Sequence, residues 1–253
     1  GGTVFREPAG GHVASAFLFP YATHHVRLKQ FTCEGFDVAV TSGQSCQSLS
    51  FEDLFFRSPR GVALDNSQGN DFTLSRVIVS HAGTNGISLN SASRTAISNC
   101  VFYLAASNAL AVSQSSQTTV TNCIFVASGE GAACYQMSEG TDLVASDFND
   151  LYLLDNAVVG ILTGVQYESV PQWVKFTAQD LHSLSADPLF FAPENGDFHL
   201  KSVAGRFDPE TGGWPVDSDH SPCIDAGSAS YVTGEVDLLG NPRVVGDAPD
   251  LGC

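Results

Sequence analysis

At 253 residues the chain is long enough for one large domain, or for an elongated domain with a small terminal one. Its net charge of −16 excludes a nucleic-acid binder, which needs a basic footprint, and disfavours partners that are themselves polyanionic. No apolar run reaches the ~18 residues that a membrane span requires.

Lysine is confined to Lys29, Lys175 and Lys201, while Gly, Ser, Thr, Asn, Val and Phe are frequent. That balance predicts β structure with many turns. The chain opens at Gly1 without a signal peptide and stops at Cys253, which predicts a mature piece of a longer protein.

In chain order, the first repeated feature is Val26 with Phe31. The pair recurs 23 residues on as Leu49 and Leu54, and after a looser step of 25 as Leu74 and Val79. A step of 23 then carries Leu74-Ser75-Arg76-Val77-Ile78-Val79 onto Ile97-Ser98-Asn99-Cys100-Val101-Phe102 and onto Val120-Thr121-Asn122-Cys123-Ile124-Phe125. Leu143-Val144-Ala145-Ser146-Asp147-Phe148 is a fainter copy. A second ladder follows the same step: Gly86-Ile87-Ser88-Leu89, Ala109-Leu110-Ala111-Val112, Ala132-Ala133-Cys134-Tyr135. About six coils are visible between Val26 and Ile161.

The period is too short for ankyrin or tetratricopeptide units, and the leucine-rich signature is missing. A coil of three short strands fits it, stacked as parallel strands ~4.8 Å apart. Within each coil the apolar spacing is three and then two, as in Ile97, Cys100 and Phe102. The two is strand alternation and the three is a bend. Val79, Phe102, Phe125 and Phe148 are therefore expected to stack as an interior ladder. Arg76, Asn99 and Asn122 share one outward, solvent-facing column.

Residues 1–165 read as these coils, and 166–253 as a cap with a loop-rich appendage packed on their end. Solenoid ends expose an apolar interior and need covering. A helix from Ser169 to Gln179, with Pro171 in its first turn, would supply the lid through Val170, Trp173, Val174 and Phe176. Trp214 lies among turn residues and reads as a packing anchor rather than a sugar-stacking platform.

The Ile97–Phe102 and Val120–Phe125 motifs resemble the coil motif of right-handed parallel β-helix repeat proteins, the pectate-lyase-like superfamily. The run Asp147-Phe148-Asn149-Asp150-Leu151-Tyr152, the segment Gln179–Phe190, and Ser221-Pro222-Cys223-Ile224-Asp225-Ala226-Gly227 resemble the C-terminal part of such proteins. The resemblance implies an all-β right-handed parallel β-helix and a secreted or cell-surface protein of bacterial type in a carbohydrate context. It implies no single reaction, because lyases, hydrolases, adhesins and inert scaffolds share the fold.

The sequence assembles no catalytic set. Hydrolysis of a glycoside needs two carboxyl groups facing one sugar. The acidic candidates are Glu52-Asp53, Asp65, Asp71, Asp142, Asp147, Asp150 and Asp155; Asp65 is expected to stack on Asn90 and Ser113. The superfamily's polygalacturonases imply paired aspartates with a His and an Arg-Lys pair, and its lyases an Arg or Lys base, often with calcium. Arg76 is the lone basic residue of its column. The seven histidines, His12 and the His24-His25 pair among them, meet no nucleophile by spacing. Asp147, Asn149, Asp150 and Asp155 crowd oxygen ligands into one turn region and are weak Ca2+ candidates. Of the seven cysteines, Cys100 and Cys123 should point inward as reduced thiols, whereas Cys33 with Cys46, and Cys223 with Cys253, are candidate bridges in an oxidising compartment.

The expected function is a secreted or cell-surface scaffold or adhesion module. Its partners would be glycans, neighbouring surface proteins or further domains of the same chain. A polysaccharide lyase or glycoside hydrolase working on the outer coil face is the alternative. Coil-to-coil stacking between chains, through Phe17, Leu18 and Phe19, is a third reading.

Overall fold

The computed structural model describes residues 3–7, 14–138, 143–232 and 234–253. Among these, parallel strands build a ten-stranded and an eight-stranded sheet. The ten-stranded sheet starts with Thr3–Arg6, His24–Glu34, Gln47–Arg57 and Asn70–Ser80. It continues as bent strand pairs, Ser93–Ser98 with Val101–Tyr103, Ser116–Thr121 with Ile124–Ser128, and Leu143–Asp147 with Asp150–Leu154. The eight-stranded sheet runs from Ser15–Phe19 through Val38–Ser42, Leu64–Ser67, Ile87–Asn90, Asn108–Ser113 and Ala133–Met137 to Val158–Leu162 and the antiparallel Val165–Tyr167. The result is a β-solenoid of about six turns with about 23 residues per coil.

The bend marked by the spacing of three has a backbone cause. Asp53, Arg76, Asn99 and Asn122 all take left-handed φ near +54°, turning the chain so that the residues on either side both point inward. Apolar side chains then stack in register: Phe51, Leu74, Ile97 and Val120 form one column, and Phe56, Val79, Phe102 and Phe125 another. Phe102 and Phe125 lie parallel, 4.7 Å apart.

Two registers differ from the sequence reading. Upstream the step stays at 23, because Leu49 pairs with Phe72 and Leu54 with Val77. The looseness falls elsewhere: Leu110 pairs with Tyr135, and Phe125 with Leu151. Two extra residues between Val126 and Ala133, and one more at a β-bulge opposite Thr118/Thr119, together slip the last coil by three residues. Phe148 therefore leaves the interior ladder, takes the left-handed corner of the Asn122 column, and stacks on His182 at 4.9 Å.

That slip also changes the chemistry of the last layer. Ser146 and Asn149 occupy interior positions held by Val120 and Cys123 one coil earlier. Helix α1 (Val170–Thr177) closes over them, with Trp173 completely buried and Phe176, expected to face the core, 64% exposed. The indole stacks on Tyr135 at 5.6 Å and reaches the backbone of Gly160, where a Cβ would stand 2.4 Å from the ring. Beneath the lid, buried Asp180 accepts from Trp173 Nε1 (3.0 Å), Ser146 Oγ (2.9 Å), Ser183 Oγ (2.7 Å) and Asn149 Nδ2 (3.0 Å).

At the opposite end, the edge strands Thr3–Arg6 and Ser15–Phe19 each pair on one side only among the described residues. Phe5 packs edge-on to Phe17 and Phe31, each at 5.3 Å, while Leu18 is exposed and Phe17 and Phe19 are half-buried.

Past Asp187 the chain packs along the flank of the ten-stranded sheet. Phe198 meets Phe55 (5.8 Å), Tyr103 (5.3 Å) and Phe190 (5.2 Å). Cys223 and Leu251 join a second apolar cluster built on Ile78, Val101 and Ile124. These outward residues are apolar because the tail covers them. Phe198→Ala should loosen the appendage and leave the coils intact; limited proteolysis should then cut faster within 188–253, with no new cuts before 138.

Candidate functional site

The charged residues of the early coils are mutually satisfied. Arg76 Nε binds Asp53 Oδ1 at 2.5 Å, and Lys29 Nζ stands 3.1 Å from Asp53 Oδ2. Glu52 accepts from Arg27 and from Ser50 Oγ (2.9 Å), with Arg76 Nη2 at 3.6 Å. Burial works to raise the Glu52 pKa, but the bonds from Arg27 and Ser50 and the charges of Arg27 and Arg76 hold it below the usual range. A group held ionised in this way cannot serve as a general acid near neutrality. Asp71 is paired with Arg94.

The column of Arg76, Asn99 and Asn122, expected to face solvent, is buried under the tail. Asn99 Oδ1 accepts from Arg243 Nη2 (2.8 Å), and Asn122 exchanges bonds with the Ser228 backbone at 2.8 and 3.0 Å. Asn suits both demands, since it tolerates left-handed φ and its amide offers a donor and an acceptor.

The four weak calcium candidates are sent to different partners. Asp147 holds His182 through Nδ1 (2.7 Å) and its backbone N–H (2.7 Å). Asn149 points into the core, donating to Val120 O and Asp180. Asp150 points outward beneath the tail, accepting from Ala186 N (3.0 Å) and Cys223 Sγ (3.3 Å). Asp155 accepts from Ser128 Oγ at 2.7 Å. Among the described residues, no three His, Cys, Asp or Glu side chains gather as a metal group. Asp142 and His12 lie outside the described residues.

Free polar valence is found on the outer face of the eight-stranded sheet. No hydrogen bond or ring contact joins the tail to this face among the described residues. One outward column reads Thr41, Asp65, Ser88, Ala111, Gln136. Asp65 thus stacks on Ser88 and not on Asn90, which pairs with Ser67 one column over. Beside it, Asn85 Nδ2 donates to Ser88 Oγ (3.2 Å), and Asn108 Nδ2 donates to both Asn85 Oδ1 (3.0 Å) and Gln136 Oε1 (3.0 Å). Two acceptors are left over. Asn108 Oδ1 is buried without a partner, and Asp65 makes no bond to any described residue. Burial raises the Asp65 pKa. The face offers acceptors and hydroxyls in fixed rows, and no second carboxylate stands in the Asp65 column.

Residues 39–163 match the family model described as a right-handed β-helix region. The match identifies this part of the chain as a right-handed β-helix region, in agreement with the parallel coils described above. The match covers the coils that carry the polar face and stops before α1 and the tail. No curated protein matches the chain.

The β-helix interior holds its cysteines as thiols. All seven are unbridged, Cys33 with Cys46 and Cys223 with Cys253 included. Cys100 and Cys123 donate to carbonyls two residues back, at 3.2 Å each, and Cys46 donates to Pro20 O at 3.2 Å. Trp214 departs from the sequence reading: it is 58% exposed, so it is not a buried anchor. Its signal in the sequence was the turn chemistry around it, Gly212-Gly213-Trp214-Pro215, which leaves little neighbouring bulk to cover an indole.

Proposed function

We propose that this protein is an extracellular or cell-surface β-helix module that binds glycans or neighbouring surface proteins on the uncovered face of its eight-stranded sheet. The observation that carries this reading is Asp65, a half-buried carboxyl that makes no bond to any described residue, set in a row of short polar side chains. A ligand's hydroxyl or amide donors would bond to that carboxyl, and hydrogen bonds to a charged acceptor are the stronger kind. A rigid solenoid face holds such rows in place without ordering cost on binding. The net charge of −16 favours neutral partners over polyanions.

Binding of the purified protein to arrayed neutral glycans and to surface-protein extracts tests this. Asp65→Asn combined with Ser88→Arg should weaken capture by about tenfold, the loss of one or two hydrogen bonds and added bulk, while leaving the melting temperature unchanged. Unaltered binding would refute the assignment of the face.

One feature favours a second reading, a polysaccharide lyase or glycoside hydrolase. Glu52 and Asp53 share the Arg76 guanidinium, which brings two carboxylates close together. Cleavage of a defined polysaccharide, abolished by Asp53→Asn without unfolding, would establish that reading and sink the first.

A further inference from the structure

We infer that the cleft between the tail and the coil flank is a second binding site, one that takes a neutral sugar unit stacked on Trp214. This does not rest on the reading of the sheet face, which lies on other strands.

The cleft encloses about 400 Å³, and Trp214 forms part of its wall together with His199, His220, Asp225, Asp237 and Arg243. Sites for small ligands are of this size and combine apolar surface with a few converging polar groups. Although exposed, the indole is held in position. Phe207 packs against it at 5.4 Å, and Gly205 lies so close that a Cβ there would be 3.0 Å from the Trp214 carbonyl oxygen. The loop is closed on both sides by Arg206 N to Pro215 O (3.0 Å) and Asp208 N to Gly213 O (3.0 Å). A large apolar surface fixed beforehand binds at low entropic cost.

The charges in and around the cleft select the ligand class. Its cations are already engaged. Arg206 pairs with Asp217 at 3.3 Å and lies over the Phe191 ring, and Arg243 Nη2 donates to Asn99 Oδ1 (2.8 Å) and to the carbonyls of Asp250 (2.8 Å) and Gly252 (2.7 Å). No guanidinium is free to receive a carboxylate or phosphate, and Asp225 and Asp237 would repel one. A purely apolar ligand would strip water from the polar side chains of the wall, His199, Asp225 and Asp237, and give nothing in return. His199 binds Asp197 through Nδ1 at 2.5 Å, which leaves its Nε2 as the other hydrogen-bonding atom. A pyranose meets all three conditions: an apolar C–H face for the indole, hydroxyls that both donate and accept, and no charge.

Trp173 is buried and Trp214 exposed, so acrylamide quenching of the two-tryptophan chain reports on Trp214. Hexasaccharides of glucose, mannose and galactose serve as neutral probes, and a galacturonate hexasaccharide as the charged comparator. At least one neutral probe should shield Trp214. Trp214→Ala should weaken that binding, followed calorimetrically, by about tenfold or more, the scale of a lost aromatic platform. Asp65→Asn should leave it unchanged, which separates this site from the sheet face. The inference is overturned if no neutral probe shields Trp214, if Trp214→Ala binds as well as the parent, or if the galacturonate probe binds equally.

Discussion

Replacing Trp173 with alanine is expected to destabilise the chain by about 3–5 kcal/mol, the range for truncating a fully buried large aromatic. The indole is the lid's single deep contact. It is completely buried, stacks on Tyr135, and meets Tyr167 edge-on at 5.6 Å. Alanine would leave a void above Gly160 and remove one of the four donors that hold the Asp180 carboxylate. Trp173→Phe should recover most of the packing but not the N–H, and so cost about 1–3 kcal/mol. Gly160→Val attacks the same contact from below, because its Cβ would stand 2.4 Å from the indole and keep the lid from seating. Chemical denaturation checks all three variants. A Trp173→Ala loss under 1 kcal/mol would mean that α1 merely rests on the last coil. Since each coil touches only its neighbours, damage should start at residues 143–162 and leave the early coils protected in hydrogen exchange.

The lid was legible because its pattern is local: Pro171 in the first helical turn and Trp173 two residues on. The coil interior was legible for a related reason. Ile97, Cys100 and Phe102 repeat with a step that parallel pairing preserves, so one correct register fixes many inward positions. The reading failed where that step changed. Nothing in the sequence announces the two residues added between Val126 and Ala133 or the one at the Thr118/Thr119 bulge, and with them the ladder position after Phe125 falls to Leu151 and not to Phe148. Hydrophobicity favoured Phe148, whereas the stacked ring of His182 is what satisfies it.

The burial of the Asn99 and Asn122 column was not legible at all. An asparagine at a left-handed corner has the same local sequence whether water or Ser228, 106 residues away, meets its amide. For the same reason Arg76 resembled a surface residue. The candidate face fared better in kind than in detail. Its Ser, Thr and Asn content was visible, but the unspent acceptors of Asp65 and Asn108 emerge only once every other polar group has been matched to a partner.

Replacing Asp150 with asparagine should stabilise the protein at pH 8 and do little at pH 4. Asp150 is fully buried at the seam between the last coil and the tail, and that burial pushes its pKa from 3.8 to about 7. The bonds from Ala186 N–H and the Cys223 thiol offset only part of that cost, and the nearby Asp187 adds to it. Between pH 4 and 7 the folded chain keeps a proton that the unfolded chain has released, so stability falls as pH rises through this window and levels off above it. At ~1.4 kcal/mol per pKa unit the full descent is about 4–5 kcal/mol for this one group. Asparagine keeps an oxygen for Ala186 N–H, can offer its N–H2 to the Cys223 sulfur, and carries no charge to desolvate. The variant should therefore lose most of that descent and gain about 2–4 kcal/mol at pH 8. The buried Asp180 and the half-buried Asp250 carboxyls are shifted in the same direction, so some decline with pH should remain in the variant. Urea denaturation at pH 4, 6 and 8 measures the slope directly. A parent protein whose stability rises from pH 4 to 7, or a variant with an unchanged pH profile, would show that Asp150 is ionised and accommodated in the fold. If the descent is present, the tail should be released before the coils as pH rises, because the carboxylate lies at their junction, and cleavage near Cys223 should accelerate above pH 7.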